Sequence, residues 1–271
     1  MARLKPLWLH LNSISERMQT ISSVAVACDY DGTLTPIVDH PSQAILPERA
    51  QRILKALSLL PDTRLAVLSG RSLDDLERCV PLPGVFLSGV SGIEIRDETG
   101  RREICMNPDD ELPPRLKAEL QEWCARFPGS WIEDKRFSYS LHYRAVTPAQ
   151  QPAFGAGVRR RVHEHPGRAA LIHGKRVFEV MPAVARDKSF AIERWLGLLP
   201  ENSVSFYFGD DSNDEPAHER VRRYGGIAVA VGRPVSRAEY VVTSTSDVIW
   251  FLEWLEREWS VRHHSSPVAS L

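Results

Sequence analysis

Val24-Ala25-Val26-Ala27-Cys28-Asp29-Tyr30-Asp31-Gly32-Thr33-Leu34-Thr35-Pro36 is the stretch whose reading decides the fold. Its first five residues are apolar and small or β-branched, the pattern of a strand buried on both faces. Two carboxylates two residues apart close the strand, and glycine follows at once. Side chains alternate across a strand, so Asp29 and Asp31 share one side of its end while Tyr30 takes the other. In an open α/β sheet, ligands bind beyond the carboxyl ends of the strands, which is where this acidic pair falls. Two acids held so close are costly to ionise together, and a cation or a reacting group relieves that cost. Read alone, the same residues also fit a strand ending in an acidic turn.

The bulk properties narrow the function classes. The 271 residues are 43% hydrophobic and 25% charged, an ordinary globular composition with room for one large domain or two modest ones. A net charge of −1 provides no global field to gather nucleic acid or an anionic membrane. Cys28, Cys79, Cys105 and Cys124 lack CxxC spacing, which favours reduced thiols and a cytoplasmic location over a disulfide framework or zinc site. No apolar run approaches the roughly 20 residues that span a bilayer. The first residues mix Arg3, Lys5 and His10 with apolar ones, unlike a signal peptide, and residues 4–19 read as an amphipathic helix packed on the core.

Beyond the acidic strand end the pattern is helix, strand, helix, strand. A helix starts near Pro47 with Ala50, Ile53, Leu54 and Leu57 as its buried stripe. A strand at 64–68 ends in Ser69-Gly70-Arg71, a helix at 73–79 is capped by Ser72, and a strand at 84–87 turns away through Ser91 to Glu94. This alternation implies a parallel sheet with right-handed crossovers. From 98 the pattern changes to a strand at 102–106, a helix at 113–127, strands at 130–135 and 137–143, and a helix at 147–165. Strands at 168–173 and 176–181 follow, joined by the turn-like Gly174-Lys175. Neighbouring strands with no helix between them predict antiparallel pairing, hence an α+β module inserted into the α/β core. The first pattern resumes with a helix at 187–199 and a strand at 203–208, which runs into Gly209-Asp210-Asp211-Ser212-Asn213-Asp214-Glu215. A helix at 216–224, strands at 226–231 and 240–242, a helix at 246–259 and a frayed end at 263–271 complete the chain. The expected division is a core of residues 1–97 and 183–271 and an inserted domain of residues 98–182.

Two strand ends thus present acids, Asp29/Asp31 and Asp210/Asp211/Asp214, with a hydroxyl (Ser69) at a third and a lysine (Lys188) at a helix start. Hard oxygen ligands suit Mg²⁺, above all where a phosphate completes the shell. A carboxylate attacking phosphorus splits one hard step into two, and phosphoryl transfer then asks mainly for positioning and charge stabilisation. The second acid suits proton transfer to the leaving oxygen and from water. Singly, Ser69 fits a turn residue, Lys188 a solvated helix residue and the Asp210–Asp214 loop an Asx-rich turn. Their order along the chain, each at an element end, favours one site.

The Asp29-Tyr30-Asp31-Gly32-Thr33 motif resembles the DxDGT opening of the haloacid-dehalogenase superfamily of phosphotransferases. That resemblance implies a Rossmann-like core with a C2-type α+β cap, Asp29 as nucleophile and Asp31 as general acid/base. It also implies Ser69 and Lys188 around the phosphoryl group, Gly70 and Arg71 as substrate-binding residues, and Mg²⁺ held by Asp29, the backbone carbonyl of Asp31, Asp210 and Asp214. Glu133-Asp134-Lys135-Arg136-Phe137-Ser138, leading to Leu141-His142-Tyr143-Arg144, is similar to the cap motif of trehalose-6-phosphate phosphatases, ExKxxS…HYR. By that likeness Glu133, Lys135 and Glu179 grip the sugar that carries no phosphate, with Ser138, His142 and Arg144 beside them. Glu accepts and Lys donates hydrogen bonds to hydroxyls, which fits. Read without the motif, these residues also fit exposed strand charges paired across a sheet. Three positions depart from the pattern: Ser91 stands for a histidine, Ser212-Asn213 for a threonine-bearing turn, and Met181 for an arginine before proline. They touch the sugar side more than the phosphoryl chemistry. The implied function is a Mg²⁺-dependent phosphatase acting on trehalose 6-phosphate. A phosphatase for sucrose 6-phosphate or glucosylglycerol phosphate, or a non-catalytic sugar-phosphate-binding regulatory module, stands as the alternative. The implied partner is a small sugar phosphate, with neither nucleic acid nor membrane.

Overall fold

A computed structural model describes residues 4–38, 40–174, 176–184, 187–233 and 236–264, with residues 263 and 264 described by backbone only. The Ser23–Asp29 strand lies inside a nine-stranded sheet. On one side it pairs in parallel with Ser203–Gly209, and beyond that come Ile227–Val231, Tyr240–Val242 and Lys5–Pro6. On the other side it pairs in parallel with Thr63–Leu68, followed by Phe86–Gly89. The chain therefore leaves the central strand in both directions, and its carboxyl end is the switch point at which such sheets form a crevice.

Alternation along the strands explains the two helical layers. Val24, Val26 and Cys28, with Phe206 and Phe208, enter a core shared with Ile53 and Leu54 of the Glu48–Leu59 helix and Phe251 and Leu255 of the Thr245–His264 helix. Ala25, Ala27 and Tyr207 enter a second core with Ile192 and Trp195 of the Lys188–Leu196 helix and Val221 of the Glu215–Arg223 helix. Each fully buried large apolar side chain contributes about 1.5–3 kcal/mol relative to exposure, so both faces of the sheet are committed to helices.

The sequence misplaces three features. Residues 4–19 do not form one helix: Lys5–Pro6 pairs with Tyr240–Val241, Leu7–His10 is a tight 3₁₀ turn, and only Leu11–Met18 is α-helical. A proline on an edge strand costs no ladder bond, and the Lys5 amide donates to the Glu239 carbonyl at 3.1 Å. The chain does not leave the first sheet after Phe86–Gly89: Glu94–Arg96 returns antiparallel to it, and Arg102–Ile104 pairs antiparallel in turn. The border expected near residue 98 thus falls inside a hairpin of the core sheet, because Asp97 to Gly100 form a tight turn with Asp97 accepting from the Thr99 and Arg101 amides. The last helix runs on from 259 to 264. The turn expected at Gly174-Lys175 includes a residue outside those described, as does most of the end expected to fray.

A separate four-stranded antiparallel sheet, in the order Trp131–Asp134, Tyr139–His142, Val177–Pro182 and Ala169–Gly174, makes the second layer structure. Its Ile132, Leu141 and Phe178 share one row and face a core built with Leu116 and Leu120 of the Pro114–Cys124 helix and Phe154 and Val158 of the Gln151–His163 helix. The two helices meet where Gly157 lies under the Trp123 ring, and a Cβ at 157 would sit 2.1 Å from that ring. Trp123 is pinned there, its indole N–H donating to the Phe154 carbonyl at 3.0 Å with Arg161 stacked 4.1 Å from the ring centre. Gly157→Ala should therefore destabilise the protein by about 1–3 kcal/mol through overpacking, although a helix interior ordinarily gains ~0.5–1 kcal/mol from that change. Urea denaturation checks the sign, and a stabilised variant would show that Trp123 moves aside freely.

Candidate active site

Three adjacent strands deliver the core half of the site. Cys28 is level with Phe208 and Asp29 with Leu68, so Asp29, Ser69 and Asp210 emerge together at one edge. Carboxylate oxygens of Asp29, Asp210 and Asp214 all lie within 4.8 Å of one another, and all three residues are buried. Lys188 opens its helix behind the Asp187 cap, whose carboxylate accepts from the Ser189 amide at 2.8 Å. Its Nζ reaches Asp29 Oδ1 at 2.5 Å and Asp214 Oδ1 at 2.7 Å with only 2% of the side chain exposed.

The electrostatics follow from that crowding. Burial pushes the Asp29 carboxyl well above the usual range, Lys188 opposes it, and Asp214 and Asp210 add to the rise. Burial works against the charged form of Lys188, but Asp214 and Asp29 overrule it and hold the ammonium above its ordinary value. Asp214 is likewise lowered, burial being outweighed chiefly by Lys188. Three carboxylates and one ammonium leave two negative charges in a buried place, and charges there are tolerated only when paired or metal-bound. The all-oxygen donor set fits a hard divalent cation. Gly32 leaves room for the Asp210 carboxylate: with φ at +87° it passes so close to Asp210 that a Cβ would sit 2.4 Å from the carboxyl carbon.

Asp214 is largely spoken for. Its Oδ1 also accepts from the Tyr207 hydroxyl at 2.6 Å, and its Oδ2 accepts from the Asp211 amide at 3.0 Å. Asp31 does not aim its carboxylate into the cluster. Both of its oxygens accept from Arg71, at 2.7 Å each, and Arg71 also donates to Asp75 at 2.6 Å and to the Pro41 carbonyl at 2.8 Å. Arg71, only 5% exposed, is thus engaged by the protein itself. Ser69 Oγ accepts from the Arg71 amide at 3.2 Å, and Gly70 lies beside it on the cleft wall.

The antiparallel sheet supplies the facing half. Register places Glu133, Ser140 and Glu179 in one row and Trp131, His142 and Val177 in the next, on the side opposite the apolar core. Lys135 Nζ donates to Glu179 Oε1 at 3.1 Å, Ser140 Oγ donates to the same oxygen at 2.7 Å, and His142 Nε2 lies 2.9 Å from Glu133 Oε2. Burial disfavours the charge on Lys135, yet Glu179, Glu133 and Asp31 hold its pKa above the ordinary value. Burial would raise Glu133, but His142 and Lys135 bring it below the usual range.

These two halves enclose a cleft of about 840 Å³, within the roughly 300–1,000 Å³ typical of small-molecule sites. Asp29, Asp31, Ser69, Gly70, Arg71, Glu133, Lys135, His142, Arg144, Glu179, Lys188 and Asp210 all line it. Two of the residues singled out from the sequence do not. Asp214 sits behind the wall, and Ser138 is fully buried, its hydroxyl without a hydrogen bond and its carbonyl closing a turn by accepting from the Lys135 amide at 3.0 Å. Met181 packs with Val90, Ile93 and Phe137 in a small apolar cluster, where an arginine would be buried. Sequence reasoning missed Trp131, Ser140 and Arg176. Ser140 and Trp131 were findable, being two residues before His142 and Glu133 and hence on the same strand face.

A family model described as trehalose-phosphatase matches residues 27–248. The chain is similar to the trehalose-6-phosphate phosphatase of Escherichia coli, 31% identical over 90% of this chain and 89% of that one. Trehalose-phosphate phosphatase B of Arabidopsis thaliana is 30% identical over 87% of this chain and 67% of that protein. Among solved structures, the C-terminal domain of the C. albicans trehalose-6-phosphate phosphatase superposes with a TM-score of 0.83 over 94% of this chain and 98% of that one, at 22% identity.

Proposed function

The chain belongs to the trehalose-phosphatase family, and on that premise we propose that it hydrolyses trehalose 6-phosphate to trehalose and inorganic phosphate, with Mg²⁺ as its metal. The observation that carries this reading is that the acidic cluster around Lys188 and the Glu133–Lys135–Glu179 face line one and the same cleft. The first is suited to a phosphoryl group and the second to sugar hydroxyls, so a sugar phosphate spans both.

In the proposed reaction an Asp29 oxygen attacks phosphorus as the bond to the sugar oxygen breaks, and Asp31 gives that oxygen a proton. Water then attacks the aspartyl-phosphate, the Asp29–phosphorus bond breaks, and Asp31 takes a proton from that water. To carry that proton Asp31 has to give up one of its two bonds to Arg71. Lys188 keeps Asp29 in place and meets the phosphoryl oxygens, with Ser69 as a further hydrogen-bond donor. Asp29, Asp210 and the Asp31 carbonyl would hold Mg²⁺, with Asp214 acting through Lys188 and the acidic loop. The ion supplies charge neutralisation at the phosphoryl oxygens. A cytoplasmic location suits four free thiols, and among the described residues no helix is long and apolar enough to cross a membrane.

Three measurements test the reading. Asp29→Asn should lower phosphate release by roughly 10³-fold or more with the circular dichroism spectrum unchanged, and substantial residual turnover would sink the aspartyl-phosphate route. Chelation should abolish activity and added Mg²⁺ restore it; hydrolysis that persists in chelator contradicts the role given to Asp210. Lys135→Ala should cut kcat/KM for trehalose 6-phosphate by about ten- to hundredfold, the worth of one hydrogen bond to a charged group, and affect p-nitrophenyl phosphate far less. Equal losses on the two esters would mean that this face does not read the sugar.

A further inference from the structure

One ring contact crosses from the core to the antiparallel sheet at the rim of the cleft. His40, in the connection that follows the acidic strand end, stacks on Trp131 with ring centres 5.0 Å apart and planes 16° from parallel. Trp131 stacks in turn on His142, at 3.9 Å and 10°. The second contact is built into the sheet, since Trp131 and His142 are directly opposed partners on adjacent strands. His142 then meets Glu133 at 2.9 Å, so the plane of the Trp131 ring governs where the imidazole presents its nitrogen.

The core end of this series is anchored as firmly. His40 Nδ1 lies 2.8 Å from Ser42 Oγ, which fixes the imidazole on its own loop. The next residue, Pro41, accepts from Arg71 through its carbonyl at 2.8 Å, and the same guanidinium holds both oxygens of Asp31. A continuous set of contacts therefore joins the acid on the core to the carboxylate on the opposite face: Asp31, Arg71, the His40-Pro41 loop, Trp131, His142, Glu133. Every link is a hydrogen bond or a ring contact of restricted geometry, the kind of network through which two sites can be coupled.

We infer that His40 and Trp131 are positioning residues that tie sugar recognition by Glu133 to the placement of Asp31, through the stack they form across the cleft rim. The inference rests on the sugar phosphatase reading above. His40 itself is not on the cleft wall, so it acts on the substrate only through Trp131. A small ester that never reaches Glu133 gains nothing from the contact, whereas a disaccharide phosphate does.

The test compares His40→Ala, His40→Phe and the wild-type enzyme on trehalose 6-phosphate and on p-nitrophenyl phosphate. His40→Ala should lower kcat/KM on the disaccharide ester by about three- to tenfold, the worth of one aromatic pair, and leave the aryl ester unchanged. His40→Phe, which keeps the stack without the imidazole, should restore the loss. Wild-type rates for His40→Ala on both esters overturn the inference, and so do equal losses on both, which mark a merely structural role. A selective loss that phenylalanine does not restore overturns it as well, because the bond to Ser42 then carries the effect. If the wild-type enzyme cleaves p-nitrophenyl phosphate but not trehalose 6-phosphate, it is the substrate reading that fails, and the inference falls with it.

Discussion

Lys188 between Asp29 and Asp214 is the contact on which the site depends. Three carboxylates brought together by the sheet would repel one another in a place with little water, and each would tend to take up a proton. A single ammonium bonded to two of them, at 2.5 and 2.7 Å, lets Asp29 approach its charged form. The position of that ammonium is in turn a matter of fold. Ile192 and Trp195 bury one face of the helix that Lys188 opens, and Asp187 fixes its first turn. Packing thus places the cation, and the cation makes the acidic cluster tolerable. A buried ion group of this kind is poor evidence for stability, since desolvation can exceed the attraction; its presence points to chemistry.

The opposite face of the cleft obeys a different rule. There the placement comes from strand register, because a shift of one residue would turn Glu133, Ser140 and Glu179 into the apolar core and bring Ile132, Leu141 and Phe178 out. The cost of such a slip is what keeps the polar row aligned. Lys135 belongs to this row by spacing, two residues beyond Glu133, and it is Glu179 that draws its side chain back across the sheet.

Much of this was legible in the sequence where a residue's role is set locally. A strand run ending in Asp29 and Asp31, a second ending in Asp210, and a cap before Lys188 are signals carried by a few adjacent residues, and the core topology follows from their alternation with helices. What depends on distant partners was not legible. The Lys5–Pro6 segment reads as the start of a helix until the edge of the Tyr240–Val242 strand is there to pair with it. Arg102–Ile104 reads as part of the insertion, since nothing local says that it continues the Glu94–Arg96 hairpin. Ser138 matches a motif position yet serves a turn, and Arg71 follows a strand end like a ligand-binding residue yet spends its hydrogen bonds on Asp31, Asp75 and Pro41. A motif names residue types; which group satisfies which is decided by the fold.

The charge on the cleft wall argues from a separate direction for a cation beyond Lys188. Among the described lining residues, Asp29, Asp31, Glu133, Glu179, Asp210 and Asp211 supply six carboxylates, against five cations from Arg71, Lys135, Arg144, Arg176 and Lys188. Of those five, Arg71 is already bound to Asp31, Lys135 to Glu179 and Lys188 to Asp29, all carboxylates of the same wall. A phosphate monoester carrying close to two negative charges at neutral pH would enter a cleft that is itself slightly negative and most acidic at its core end. Hydrogen bonds to the sugar can orient such a ligand but cannot offset that repulsion in a low-dielectric site. A divalent ion held by Asp29 and Asp210 would cancel the two net negative charges of the cluster, so the acidic end of the cleft would accept an anion only when it is loaded.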